Sequence, residues 1–255
     1  PYRLNYPFSV SEVELAINAA VKLQGENRYM QESTKPQNQE KRFHSWISEN
    51  YVWVITVFLS LYLGLSFLAP LLESRGYSNF AKPIYGFYRL LCHQLAYRSY
   101  FIGGEQSYYP RTLANLDIQL TYETATGVDA TDLIFARNYL GSERLGYKLA
   151  LCQRDIAIYG SMIIFGLIFQ VTGRKMKSLP WYLLVIFGLG PIAMDGLSQL
   201  PGLATGWPSW LPARESTPLL RSITGALFGV CTMWFLYPLM EESMTINKKR
   251  INIPL

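Results

Sequence analysis

Four short stretches of this chain concentrate residues able to do chemistry. CHQLAYRS, from Cys92, joins an adjacent thiol and imidazole to Arg98, and CQRD brings together Cys152, Arg154 and Asp155. DGLSQ sets Asp195 and Gln199 one helical turn apart, and RESTPLLR carries Glu215 and Arg221. Thiolate, imidazole and carboxylate are zinc ligands, so Cys92, His93, Cys152 and Asp155 would make a tetrahedral set for Zn or a similar divalent metal. A metal with one exchangeable position can generate hydroxide near neutral pH. Asp195 or Glu215 would then serve as general base. Arg98, Arg154 and Arg221, with Gln199, would hold an anionic headgroup or phosphate, which guanidinium grips bidentately. Adjacent Cys92 and His93 cannot face one way on a regular helix, so one of them must sit at a helix end or in a loop.

Other uses of these residues stay open. Cys92 and Cys152 could instead form a disulfide on an oxidising side of a membrane, or stay unlinked and buried. The three arginines nearly balance Asp155, Asp195 and Glu215, so the same groups could be buried ion pairs that fix helix register. Cys231 lies among apolar residues and reads as packing. His44 has no partner in sequence and reads as a solvated surface residue.

The elements that must position these groups are membrane spans. The chain has 255 residues, 50% hydrophobic and only 16% charged, which is apolar for a soluble protein of this size. Residues 51–72, YVWVITVFLSLYLGLSFLAPLL, hold no charge over the length a bilayer core requires. Residues 152–171, 181–200 and 217–240 give three more spans, so the expected fold is an all-α integral membrane protein with about four transmembrane helices. Residues 51–240 form the membrane domain, 1–50 a preceding segment and 241–255 a tail. Ser9 with Glu12 and Ser11 with Glu14 are capping boxes for a short amphipathic helix, and the polar stretch 24–42 reads as a linker. PYRLNYPFSV shows no signal peptide.

Basic loops stay cytoplasmic. GRKMKS, with Arg174, Lys175 and Lys177, connects the second span to the third. Lys35, Lys41 and Arg42 precede the first span, and Lys248, Lys249 and Arg250 follow the last. With all three inside, both termini are cytoplasmic, the host is the cell's inner membrane, and residues 73–150 lie outside. Residues 80–101 are then an interfacial or re-entrant helix, because each of Lys82, Arg89 and Arg98 at a bilayer centre would cost on the order of 2.5 to 3.5 kcal/mol. The rest of the outer segment is a net acidic extracytoplasmic insertion, with Glu105, Asp117, Glu123, Asp129, Asp132 and Glu143 against Arg111, Arg137 and Arg144. This topology puts all the polar groups at one end of the spans, where intramembrane ionisable residues read as functional. GALFG, from Gly225, is a small-xxx-small pattern that lets another helix approach closely.

Read in order, CHQLAYRS, FIGG from Phe101, CQRD, DGLSQ and RESTPLLRSITG from Arg214 resemble the signature of an uncharacterised family of bacterial and archaeal predicted membrane proteins. The resemblance covers about residues 80–230. It implies a shared site and carries no agreed reaction. Some relatives place Cys where this chain has Asp155, an exchange that suits metal ligands and not disulfide partners.

Two functions follow as expectations. The first is a metal-dependent hydrolase or transferase acting on a lipid-like or amphiphilic substrate in the outer leaflet. The second is a non-catalytic subunit of a larger membrane complex, with metal or ion pairs as staples and the acidic insertion as a docking surface. Only two histidines, on opposite sides of the membrane, argue against haem, and neither a phosphate-binding loop nor a G-x-S-x-G elbow is present. The net charge of +5 follows from inside-positive loops, so membrane lipid is the expected partner and nucleic acid is not.

Overall fold

The structure, a computed structural model, describes residues 10–200 and 214–251. Side chains are described from Arg42 to Leu200 except His44, from Arg214 to Ile246, and at Lys22 and Gln24. The expectations for His44, the Ser9 and Ser11 capping boxes and the Lys248–Arg250 cations fall outside them. By internal contacts the chain divides into residues 1–51 and residues 52–255. The first unit is helical from Val10, including the stretch 24–42 that its polarity marked as a linker. Its Glu, Gln, Lys and Arg residues are good helix formers, a preference that polarity alone conceals.

Helix α1 is Val10–Ser74 and contains the apolar segment Ser45–Ser74. Two more helices have the length and composition to cross a membrane: α5, Gln153–Val171, and the part Pro218–Ile246 of α8, Pro218–Ile251. Only 28% of the most apolar stretch of each of the first two, and 39% of the third, is buried. Phe58, Leu61, Ile164, Ile168 and Ile223 face outward, which suits lipid and not water. The expected third span is shorter. It is one apolar helix over Trp181–Leu197, composed of α6, Trp181–Leu183, a π-helical turn, Leu184–Leu189, and α7, Gly190–Leu197. At 1.5 Å per residue it is about 26 Å long, against about 30 Å of hydrocarbon. The protein is thus a multi-pass membrane protein, with three long apolar helices and one short one among the described residues.

α5 packs along α8 through glycines. A Cβ on Gly225 would lie 2.6 Å from the Arg154 carbonyl oxygen, and one on Gly229 would lie 2.4 Å from that of Ile158. GALFG therefore does what its small-residue spacing implies. α5 ends at the start of GRKMKS, where Gly173 and Arg174 are left-handed (φ 66° and 60°) and the Arg174 N–H donates to the Phe169 carbonyl at 3.0 Å.

The all-α expectation needs correction at one end of these helices. Helix α2, Ser78–Arg89, stops well short of residue 101. A single 3₁₀ turn, Ala96–Arg98, follows, and then β1, Ser99–Ile102. With β2, Gly141–Ser142, and β3, Gly146–Cys152, it makes a small antiparallel sheet of order β1-β3-β2. β3 is buried on both faces, so GYKLALC shows no alternation and merges in sequence with the span that follows. Residues 95–145 close over their own core of Tyr97, Phe101, Tyr109, Tyr122 and Leu145. The acids of this region largely serve local structure. Glu123, in the first turn of α3, Tyr122–Thr126, accepts from the Thr112 N–H at 2.9 Å, Asp132 caps α4, Leu133–Asn138, and Glu105 pairs with Arg144 at 3.0 Å. It is a folded subdomain more than an acidic surface.

Candidate functional site

The break that adjacent Cys92 and His93 require is present. α2 ends at Arg89, and both residues lie in the turn beyond it. The Cys92 N–H still donates to the Tyr88 carbonyl at 2.8 Å. Gln94 then turns the chain with φ 53°, a left-handed value costly for a residue other than Gly. Its fully buried amide holds that conformation by donating to the carbonyls of Tyr85 at 3.0 Å and Ala150 at 2.8 Å. The second carbonyl belongs to β3, so the turn is tied to the strand that delivers Cys152.

Cys152 ends β3 opposite Ser99 of β1 and is the residue before α5. Asp155 is in the first turn of α5, where a carboxylate suits the helix dipole. One ligand atom each from Cys92, Cys152 and Asp155 lies within 4.8 Å of the others. This cluster can coordinate a metal ion. Cys92 and Cys152 are free thiols. A hydrogen bond with Cys92, and then burial, raise the Cys152 thiol well above its ordinary value, so this thiol keeps its proton unless a cation draws it off. His93 is exposed and lies outside the cluster.

A cavity of about 190 Å³ opens at the cluster, lined by Cys92, Cys152, Asp155, Arg98, Arg154 and Arg221. His93 and the outward-facing Leu91 form part of its wall. Thus the four expected ligands and the three expected arginines meet at one space. Asp195, Gln199 and Glu215 lie behind the wall and hold the arginines. Glu215, just before α8, is 4% exposed and sits among three guanidinium groups. Arg98 grips it with Nε–Oε1 3.0 Å and Nη2–Oε2 3.2 Å, Arg111 reaches Oε2 at 3.4 Å, and Arg221 binds Oε1. Arg221 also donates to the side-chain oxygens of Gln153 and Gln199, each at 3.3 Å. The Tyr97 ring lies 5.6 Å from the Arg98 guanidinium carbon and 5.5 Å from that of Arg111, within cation–π range.

Asp195, at the end of the short apolar helix, binds Arg154 through Oδ2. It also takes the Gln199 amide at 3.3 Å and has Arg214 at 3.7 Å from Oδ1. Five arginines therefore surround two buried carboxylates. Sequence reasoning missed Arg111, Arg214 and Gln153. Arg214 and Gln153 lie inside RESTPLLR and CQRD and could have been found there. Arg111 sits in the insertion and had no local signal.

Residues 144–235 match the family described as predicted membrane protein, DUF2085. That stretch contains Cys152, Asp155, Asp195, Glu215 and Arg221 but not Cys92. An uncharacterized protein of Methanocaldococcus jannaschii, MJ1492, is 30% identical over 201 residues, 75% of this chain and 93% of the relative. No solved structure matches. A likeness that spans nearly the whole relative, on a chain whose apolar helices agree with the family's description, shows that this protein belongs to the DUF2085 family of predicted membrane proteins.

Proposed function

We propose that this protein is a metal-dependent hydrolase or transferase of the cell's inner membrane, acting on a lipid-like or amphiphilic substrate with an anionic headgroup. The observation that carries this reading is the shared cavity, whose wall offers a Cys92–Cys152–Asp155 ligand set on one side and guanidinium groups on the other. Three protein ligands are the complement of a catalytic zinc site, which keeps its fourth position for water or substrate. Arg98, Arg154 and Arg221 bind the headgroup oxygens. Leu91, 62% exposed at the wall, gives an acyl chain an apolar rest. Cys92, Cys152 and Asp155 would hold the metal, and the chemistry it would supply there is activation of a water near neutral pH. Asp195 and Glu215 position the arginines, Glu215 through both carboxylate oxygens and Asp195 through Oδ2. Proton transfer at the cavity falls to His93, which lines it outside the ligand set.

The inside-positive loops orient the cavity to the extracytoplasmic face and both termini to the cytoplasm. A cysteine introduced at Thr126 is then labelled by an impermeant thiol reagent in intact cells, and one at Lys177 is not. Elemental analysis of protein purified without chelator tests the centre itself. About one divalent metal per chain is expected, lost in Cys152→Ala and retained in Asp155→Cys. A metal-free protein carrying a Cys92–Cys152 disulfide would overturn the reading. A metal that exchanges no ligand would favour the non-catalytic subunit, because a closed site serves only as a staple.

A further inference from the structure

The Cys92–His93 turn has a second side. A separate cavity, also of about 190 Å³, is lined there by Arg89, Leu90 and Arg137 together with Leu91, Cys92 and His93. Arg89 is the last residue of α2, and Arg137 lies in the last turn of α4. Arg137 Nη2 donates to the Arg89 carbonyl at 2.7 Å, which brings the end of one helix to the end of the other. Lys148 stands behind them, fully buried in β3, with its ammonium donating to the carbonyls of Gln94 and Arg137 at 2.7 Å each. Among the described residues no carboxylate pairs with Arg89, Arg137 or Lys148. The Nε donors of Arg89 and Arg137 are buried without a hydrogen-bond acceptor.

Charged donors buried without acceptors are costly. Two guanidinium charges gathered without a counter-ion, with Lys148 behind them, raise that cost further. The α2 end accounts for one Arg137 nitrogen as a cap on terminal carbonyls, and for neither Nε. An anion from outside the chain, seated in the cavity that both guanidinium groups line, relieves the second cost. It must be small, doubly or singly negative and rich in oxygens, which describes a phosphate group. Leu90, 85% exposed, borders the cavity and adds an apolar surface where an attached chain would lie.

We propose that Arg89 and Arg137 form a phosphate-binding site on the far side of the Cys92–His93 turn from the metal and arginine cavity. The site shares Leu91, Cys92 and His93 with the metal cavity, and none of Cys152, Asp155, Arg98, Arg154 and Arg221 lines it. Phosphate reaches it as the free ion or as a lipid headgroup.

Arginine labelling with phenylglyoxal, mapped by mass spectrometry on the wild-type chain, tests this without a destabilised variant. Inorganic phosphate in detergent, or phosphatidic acid in nanodiscs against phosphatidylcholine alone, should slow labelling of Arg89 and Arg137 about tenfold, the size of a charge-assisted contact. Exposed Arg144 should be unaffected. Protection by both probes identifies a site open to free phosphate, and protection by phosphatidic acid alone identifies a headgroup site. Arg89→Gln should weaken binding of the protecting probe by about the same factor. Unchanged labelling of Arg89 and Arg137 with both probes, or undiminished affinity in folded Arg89→Gln, would overturn the proposal.

Discussion

Glu215 and the Cys92–Cys152–Asp155 cluster flank the same cavity and are built on opposite principles. Around Glu215 the donors outnumber the acceptor oxygens, and the carboxylate is bound by groups from the 3₁₀ turn, the insertion and α8 at once. Around the cluster, two thiols and a carboxylate bring ligand atoms within 4.8 Å of one another. The first arrangement is saturated by the protein and fixes where segments distant in sequence meet. The second is an excess of ligand atoms that a cation would complete. Stability and binding are thus assigned to different corners of one cavity, and substitutions can separate them.

The largest effect should come from the saturated corner. Glu215→Gln leaves Arg98, Arg111 and Arg221 without their shared counter-charge and should cost about 3 to 5 kcal/mol, read as a lowered melting temperature in detergent. Metal per folded chain should not change. Asp155→Asn should behave oppositely, losing metal while the metal-free protein melts as the metal-free wild type does. If both substitutions lowered stability equally, with metal retained in both, the two corners would be one structural network.

Next in size is the helix contact that holds the cavity's floor. Gly229→Ala drives a methyl group against the Ile158 carbonyl and should cost about 1 to 3 kcal/mol, with little change in metal affinity. Gly225→Ala meets the Arg154 carbonyl and should lose both stability and headgroup binding, because it displaces the backbone that carries Arg154. Equal binding by the two folded variants would show that Arg154 is not held from α8.

The smallest effect is one of pH, at the edge of the comparison. Burial, and then the Arg89 cation, lower the Lys148 ammonium to about 7, with Arg137 adding to the effect and Cys92 opposing it. Between about 7 and the ordinary lysine value near 10.4, the unfolded chain holds a proton that the folded chain has released. This lysine therefore makes the protein more stable as pH rises through that window. In phosphate-free detergent, the gain in melting temperature from pH 7 to pH 9.5 should be smaller in Lys148→Met than in the wild type. An identical gain would place a carboxylate or a bound anion beside Lys148.

How far each feature could be read from sequence depended on the range of its cause. A helix that crosses lipid must satisfy its backbone within itself and be apolar along its length, so 51–72, 152–171 and 217–240 announce themselves. GALFG likewise carries its own explanation, since only small residues let two backbones approach. The adjacency of Cys92 and His93 already required a helix end, for the simple reason that neighbours on a helix diverge. The sheet was hidden because β3 is buried on both faces and runs into α5 without a polar break. The helical conformation of 24–42 was hidden for another local reason, as polarity and helix propensity are independent quantities.

The sequence by itself determined that this is a membrane protein and that its thiols, carboxylates and arginines gather at one end of the helices, because hydrophobic length and intramembrane charge are local and costly. Only the tertiary structure decided which of them meet. It set Asp155 with the two cysteines and turned His93 outward. It gave Asp195 to Arg154 and surrounded Glu215 with Arg98, Arg221 and the unforeseen Arg111. Those pairings span up to 117 residues of chain and depend on the angle of a turn and the register of a strand, to which no local pattern refers.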